Sequence, residues 1–184
     1  MLKIFESAPK FEFKDQTGKN FKFPDDFNGK WLALFFLRHL GCPLCLEKIK
    51  ELKKSEQKYK DQGVLVFVVV QSTASRVKEF SAKKQINFHL IGDFERRLYD
   101  LYQVAKGGLA DFLAPSVLAA SIRATFKGNF HGAFEGDELQ KPAIFIIDPA
   151  GVLVFMEYGK NIANTINEKR FFQVLAKLKE RKKE

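Results

Sequence analysis

The chain has 184 residues, enough for one domain with a full core. Hydrophobic residues make up 46% and charged residues 29%, an ordinary globular balance, and no apolar run approaches the length of a membrane span. The net charge is +9, partly from a basic tail between Lys177 and Glu184. With no nucleic-acid motif beside it, that charge reads as solvated lysines at a helix end, where it suits the helix dipole, so neither nucleic acid nor membrane is an expected partner.

The N-terminal residues Met1 to Glu6 lack the apolar stretch and cleavage site of a signal peptide, so a cytoplasmic protein is expected. Phe11-Glu-Phe-Lys14 and Asn20-Phe-Lys-Phe23 flank a turn at Asp15 to Gly18 and alternate apolar with polar, which predicts a hairpin with one buried face. Trp31 to Leu37 is apolar on both faces, as in a strand covered on both sides. A helix is predicted from Pro43 to Lys60, with Cys45, Ile49 and Leu52 on its buried stripe. Val64 to Val70 is a second strand buried on both faces. A helix over 73–85 around Val77 and Phe80 follows it, then a short strand Phe88 to Ile91 and a helix beginning at Asp93.

Residues 104–140 read as an insertion, with glycines at 107, 108, 128, 132 and 136. Within it, Pro115 to Lys127 predicts an amphipathic helix carrying Val117, Leu118, Ile122 and Phe126. Three roles are open to the insertion: a cover for the site, a contact in a homodimer, or an extra packed helix, which is the expectation. Ala143 to Ile147 and Val152 to Phe155 form a closing hairpin across the turn Asp148 to Gly151. The last helix starts near a capping box, Thr165 to Glu168, and buries Phe171, Leu175 and Leu178. The order predicts one α/β domain over 1–184: a central mixed sheet flanked by helices, an N-terminal β-hairpin and a helical insertion before the last hairpin.

Cys42 and Cys45 are the two cysteines of the chain and open a helix after a strand and a sharp turn. A cysteine pair so placed is a redox arrangement more often than a structural staple. A helix N-terminus, Arg38 and His39 nearby, and an S–H bond from Cys45 should all favour the Cys42 thiolate, whereas buried Cys45 should keep a normal or raised pKa. Cys42 then attacks, and Cys45 resolves the mixed disulfide or sulfenic acid. Arg38 is either a cation for the thiolate or substrate, or a strand-end salt bridge; His39 is either a proton shuttle or a polar strand-end residue. Zinc would need four ligands, and His39, His89 and His131 are scattered, so no metal is expected. Copper held by Cys42, Cys45 and His39, or a protein-interaction module that kept only the fold, is the alternative.

Ala8-Pro-Lys-Phe11, Phe35 to Cys45, Pro142 to Asp148 with Gly151, Leu98-Tyr99, Leu113 to Pro115 and Tyr158 to Asn161 together resemble the alkyl hydroperoxide reductase/thiol-specific antioxidant group of thioredoxin-fold proteins. Within it, the chain is most similar to the peroxiredoxin-like branch that includes prostamide/prostaglandin F synthase. The resemblance implies a thioredoxin-like fold and a Cys-x-x-Cys oxidoreductase of peroxide, endoperoxide or disulfide. It implies no cofactor and a thioredoxin- or glutathione-type reductant. It also implies Cys42, Cys45 and Arg38 as catalytic residues and His39, Pro43, Lys141 and Pro142 as substrate-binding ones, with Pro142 at the place of a cis proline facing the dithiol. Two departures stand out. Where typical peroxiredoxins carry proline and threonine seven and three residues before the peroxidatic cysteine, this chain has Phe35 and His39. Where thioredoxins bury an aspartate six residues before the first cysteine it has Phe36, and Pro43 follows the first cysteine rather than preceding the second.

Overall fold

The computed structural model describes residues 2–27, 29–108, 115–126, 128, 132 and 136–182. A small antiparallel hairpin, β1 (Phe11–Lys14) with β2 (Asn20–Phe23), is followed by a 3-10 turn at Asp25–Phe27. The main sheet then starts at β3 (Trp31–Phe36). The chain continues through α1 (Pro43–Lys54), α2 (Glu56–Asp61), β4 (Val64–Val70), α3 (Ala74–Lys84), β5 (His89–Gly92), α4 (Arg97–Leu101) and α5 (Pro115–Phe126). It closes with β6 (Ala143–Ile147), β7 (Leu153–Tyr158) and α6 (Glu168–Arg181).

The five-stranded sheet has the order β5-β4-β3-β6-β7, so β3 is central, as its two-faced apolar run requires. β3 runs parallel to β4 and antiparallel to β6, which makes the sheet mixed. Alternate residues of β3 serve two cores. Ala33 and Phe35 pack with Ile49, Leu52, Phe80, Phe171 and both cysteines. Leu32, Leu34 and Phe36 pack with the hairpin phenylalanines, Tyr99 and Tyr102. Much of the phenylalanine surplus is spent in this second core: Phe13, Phe27 and Phe67 pack edge to face with the ring of His89. Burial holds the His89 imidazole below its usual pKa, although Asp15 lies 3.4 Å from it.

Several expectations are corrected. The helix predicted over 43–60 is two helices, because Ser55 leaves helical geometry at φ −98° and ψ 8°. Asp93 does not begin α4; its carboxylate accepts the N–H groups of Arg97 and Leu98 at 2.9 and 2.8 Å and so caps the helix from four residues upstream. The N-cap of α6 is Asn167, whose side chain accepts from Arg170 N–H at 2.9 Å, not Thr165. On α5 the buried face is Val117, Ala120 and Ala124, while Leu118, Ile122 and Phe126 are exposed. α5 packs against α1. The cis bond among the described residues precedes Pro24 rather than Pro142. No helix of the described residues is long and apolar enough to cross a membrane.

Candidate active site

The site lies where the parallel strands β3 and β4 end, the edge at which open α/β sheets place their ligands. Beyond β3 the chain stays tied to β4 and its continuation. Leu37 N–H donates to Val69 O at 3.0 Å, Gln71 N–H to Arg38 O at 2.6 Å, and Leu40 N–H to the Ser72 hydroxyl at 3.1 Å. The Tyr99 hydroxyl, fully buried, donates to the Leu37 carbonyl from below. These bonds aim residues 38–42 at one point. α1 starts there, with Pro43 buried in its first turn and Cys42 as its N-cap.

Cys42 is fully buried, and three N–H donors converge on its sulfur. Arg38 Nη2 lies at 2.9 Å, Arg38 Nε at 3.3 Å and the Cys45 backbone N–H at 3.4 Å. Burial by itself raises the Cys42 pKa. The bond from the Cys45 thiol, the Arg38 charge and the Arg38 hydrogen bonds outweigh it and bring the thiol down to about 6. Cys45 moves the other way: burial and the neighbouring Cys42 push it well above the free thiol value. Its sulfur accepts the Arg38 N–H at 3.2 Å. One sulfur is thus prepared as an anion and its neighbour as a proton holder.

Arg38 is shared. Its Nη1 lies 3.2 Å from Glu138 Oε2 and also donates to the Glu138 carbonyl. The other oxygen of that carboxylate is 2.8 Å from His39 Nε2. His39 Nδ1 accepts the Gly41 N–H at 3.2 Å, which assigns the imidazole proton to Nε2, facing Glu138. Both ring nitrogens are therefore directed to partners other than the sulfurs. The His39 nitrogens face Gly41 and Glu138.

Glu138 had no signal in the sequence, since it lies 100 residues from Arg38. Its segment crosses the site. Gly132 N–H donates to Gly41 O at 2.9 Å, Asp137 N–H donates to Gln71 Oε1 at 2.7 Å, and Gln71 Nε2 donates to Gln140 Oε1 at 3.1 Å. The insertion therefore covers the site with these residues as well as packing α5 against α1, which revises the expectation of a mere extra helix. Gly136 sits at φ +69°, and a Cβ there would come within 2.8 Å of Gln71 Cβ, O and Oε1. Gly136→Ala is expected to lift this strap, with about 1–2 kcal/mol of backbone strain added. Alkylation of Cys42 by a bulky maleimide should then be several-fold faster than in the parent protein. An unchanged rate would show that the strap does not limit access.

A cavity of about 260 Å³ reaches the dithiol from the α6 side, lined by Arg38, Cys45, Lys48, Pro142, Arg123 and Asn167 among others. Cys42 does not line it. Lys141 is half-buried and does not line it either, so of the proposed substrate contacts in that segment Pro142 alone does. Lys48, unmarked by the sequence reading, is buried and donates to Ile166 O at 2.7 Å and to Glu51 Oε1 at 3.1 Å. Burial lowers its pKa against the pull of Glu51. Arg123 pairs with Glu47 at 3.0 Å on the rim. His89 lies in the aromatic core, and His131 lies outside the described residues. Among the described residues no group of three or more histidine, cysteine and carboxylate side chains is arranged to hold a metal ion.

The model of the AhpC/TSA family matches residues 4–156. Peroxiredoxin-like 2C of Bos taurus is 22% identical over 156 residues, covering 80% of this chain and 68% of that protein. A peroxiredoxin of Aquifex aeolicus is 26% identical over 175 residues, covering 89% and 67%. Among solved structures, a mutant of peroxiredoxin 6 from Arenicola marina superposes with a TM-score of 0.74 at 19% identity over 97% of this chain and 74% of that one. A yeast mitochondrial 1-Cys peroxiredoxin gives 0.72 at 18% identity over 100% and 79%. The fold, the cysteine at the start of α1 and the match over most of its length make this chain a member of the AhpC/TSA family, a peroxiredoxin-like thiol oxidoreductase of thioredoxin-like fold.

Proposed function

We propose that the protein reduces peroxides through the Cys42–Cys45 dithiol. The observation that carries this reading is the three-donor clamp on Cys42, with its low thiol pKa beside a high one at Cys45. The Cys42 thiolate attacks one oxygen of the O–O bond, and the other leaves as alkoxide or hydroxide and takes up a proton. The product is a sulfenic acid at Cys42. The Cys45 sulfur then displaces its hydroxyl, which leaves as water, and a disulfide closes. Two thiols supplied from outside return the pair to its starting state. Arg38 holds the attacking sulfur as an anion within its buried surround.

The buried position of Cys42 favours small peroxides, and the absence of a threonine hydroxyl at position 39 favours a slower reaction than in typical peroxiredoxins. A copper site made of Cys42, Cys45 and His39 receives less support, because both His39 nitrogens face Gly41 or Glu138.

Two variants test the roles. Cys42→Ser is expected to abolish peroxide consumption in a stopped-flow assay; consumption at the parent rate would refute the reading. Cys45→Ser should react with peroxide once and stop, leaving a sulfenic acid that a dimedone probe captures at Cys42. A Cys45→Ser protein that forms no such adduct would remove the resolving role from Cys45.

A further inference from the structure

α1 and α3 cover the same face of the sheet, since Ile49 of one and Phe80 of the other join the core that Ala33 and Phe35 enter. The two helices do not pack closely against each other. A cavity of about 480 Å³ lies between them. It shares no described lining residue with the cavity beside the dithiol, and neither sulfur lines it. Its floor is apolar, built from Leu40, Leu46, Ile49, Phe80 and Ile86. Its rim is basic, with Lys50, Lys53, Arg76, Lys83 and Lys84 against one acid, Glu79, among the described lining residues. We propose that this cavity binds a long-chain carboxylate, the anion of a fatty acid, with the alkyl chain along the floor and the carboxylate at the rim lysines.

Lysines on a helix face are usually just solvated, and an apolar gap can be no more than imperfect packing. Here the two occur together, as a ligand with one charged end and an apolar body requires. Lys50, Lys83 and Lys84 are exposed and form no ion pair among the described residues, so their charges are available to an anion. Lys53 Nζ donates to Lys84 O at 2.6 Å, which bridges α1 to the last turn of α3 and takes up a carbonyl that would repel a carboxylate. Lysine stems can extend an apolar wall with their methylenes while the ammonium groups stay in water. The floor residues Leu40, Ile49, Phe80 and Ile86 are buried, so an alkyl chain laid over them leaves water completely.

Size separates this occupant from a peptide. A helix about 10 Å across fills roughly 400 Å³ per turn of 5.4 Å, so the cavity takes little more than one turn, whereas anchors at i, i+4 and i+7 need two. An extended peptide would bring backbone N–H and C=O groups, and helices, whose own backbone groups are already paired, offer them no edge. A methylene occupies about as much space as a water molecule, roughly 30 Å³, so a chain on the order of 12 to 16 carbons fills the same volume. Such a chain has no polar group along its length that the floor would leave unpaired.

The test titrates the full chain with octanoate, decanoate and dodecanoate in a calorimeter, each below the concentration at which it aggregates. One saturable site is expected, with affinity rising about fourfold per added methylene and therefore about 15-fold for each step of two. Affinity that does not depend on chain length, or heats that never saturate, would overturn the inference. Dodecylammonium, with the same chain and the opposite charge, should bind about tenfold more weakly than dodecanoate. Equal binding would overturn the carboxylate assignment. Lys50→Glu with Lys83→Glu, both at exposed positions, should weaken dodecanoate about tenfold while leaving the fold intact. An unchanged constant would place the ligand elsewhere. Phosphatidylglycerol vesicles that bind the protein when dodecanoate does not would reassign the surface to a membrane and overturn the fatty-acid site.

Discussion

Arg38→Met should move the Cys42 titration from about 6 to above the free-thiol value of about 8.5, read as thiolate absorbance at 240 nm against pH. The substitution keeps much of the buried bulk but removes the charge and both side-chain donors from a sulfur that burial alone would keep protonated. At pH 7 the thiolate fraction then falls about 30-fold, from nearly all of the protein to a few per cent. Alkylation will fall by less, because a more basic thiolate is a better nucleophile and offsets roughly tenfold of the loss. The titration is therefore the cleaner measurement. Arg38→Lys keeps a charge without the planar fork that bridges Cys42 and Glu138, so it should restore only part of the shift. A midpoint left near 6 in Arg38→Met would take the activation of Cys42 away from Arg38.

The same residue makes stability depend on pH. The folded protein holds Cys42 deprotonated where the unfolded chain still binds the proton. Between about pH 6 and 8.5 the unfolded state thus carries more protons, and stability rises with pH. This contribution is complete above the unfolded pKa and is lost as the pH falls through about 6. Cys45, raised by burial, acts in the opposite sense only above the unfolded thiol value, and His89, held below its usual value, is common to the parent and Cys42→Ser, so the difference between the two proteins from pH 6 to 8 reports Cys42. Relative to Cys42→Ser, the parent protein should gain up to about 1.4 kcal/mol per pH unit there. Parallel stability curves for the two proteins would contradict the lowered pKa.

Phe171→Ala should be the most damaging core substitution on α6, with a loss of about 3–5 kcal/mol. Phe171 is fully buried, and its ring meets Tyr59 at 4.9 Å, Phe172 at 5.2 Å and Phe35 at 6.1 Å between centroids. It joins α6, α2 and the central strand, so its removal leaves a cavity that three elements would have to shift to fill. Against a total stability on the order of 5–15 kcal/mol, the thermal midpoint should fall by about 10 °C. The effect should also reach the site. The residues leading into α6 hold Lys48 through Ile166 O, and Glu51 accepts the Glu168 N–H at 3.0 Å. Phe171→Leu, which keeps most of the volume, should cost less than about 1.5 kcal/mol. Similar melting of the Ala and Leu variants would mean that the site collapses around the lost ring.

Much of the fold and of the dithiol was legible in the chain. The two-faced apolar run Trp31 to Leu37 announced a central strand, and the cysteine spacing placed Cys42 at the mouth of a helix, where the structure makes it the N-cap, and Cys45 inward. The hairpin Phe11–Lys14 with Asn20–Phe23 followed from alternation alone. These are short-range properties, set by the period of one element and the chemistry of neighbouring residues. Packing decided the rest. On α5 the large apolar residues Leu118, Ile122 and Phe126 face outward, while Val117, Ala120 and Ala124 are buried among its described side chains. Asn167 displaced Thr165 as a cap because it lies where the turn ends. Glu138 meets Arg38 and His39 across 100 residues, and the cavity opens on Cys45 rather than Cys42. Periodicity reports which side of an element is buried but carries no distance to another element, so the amino-acid order determined the sulfur pair, while its partners and its opening came only with the assembled sheet, helices and strap.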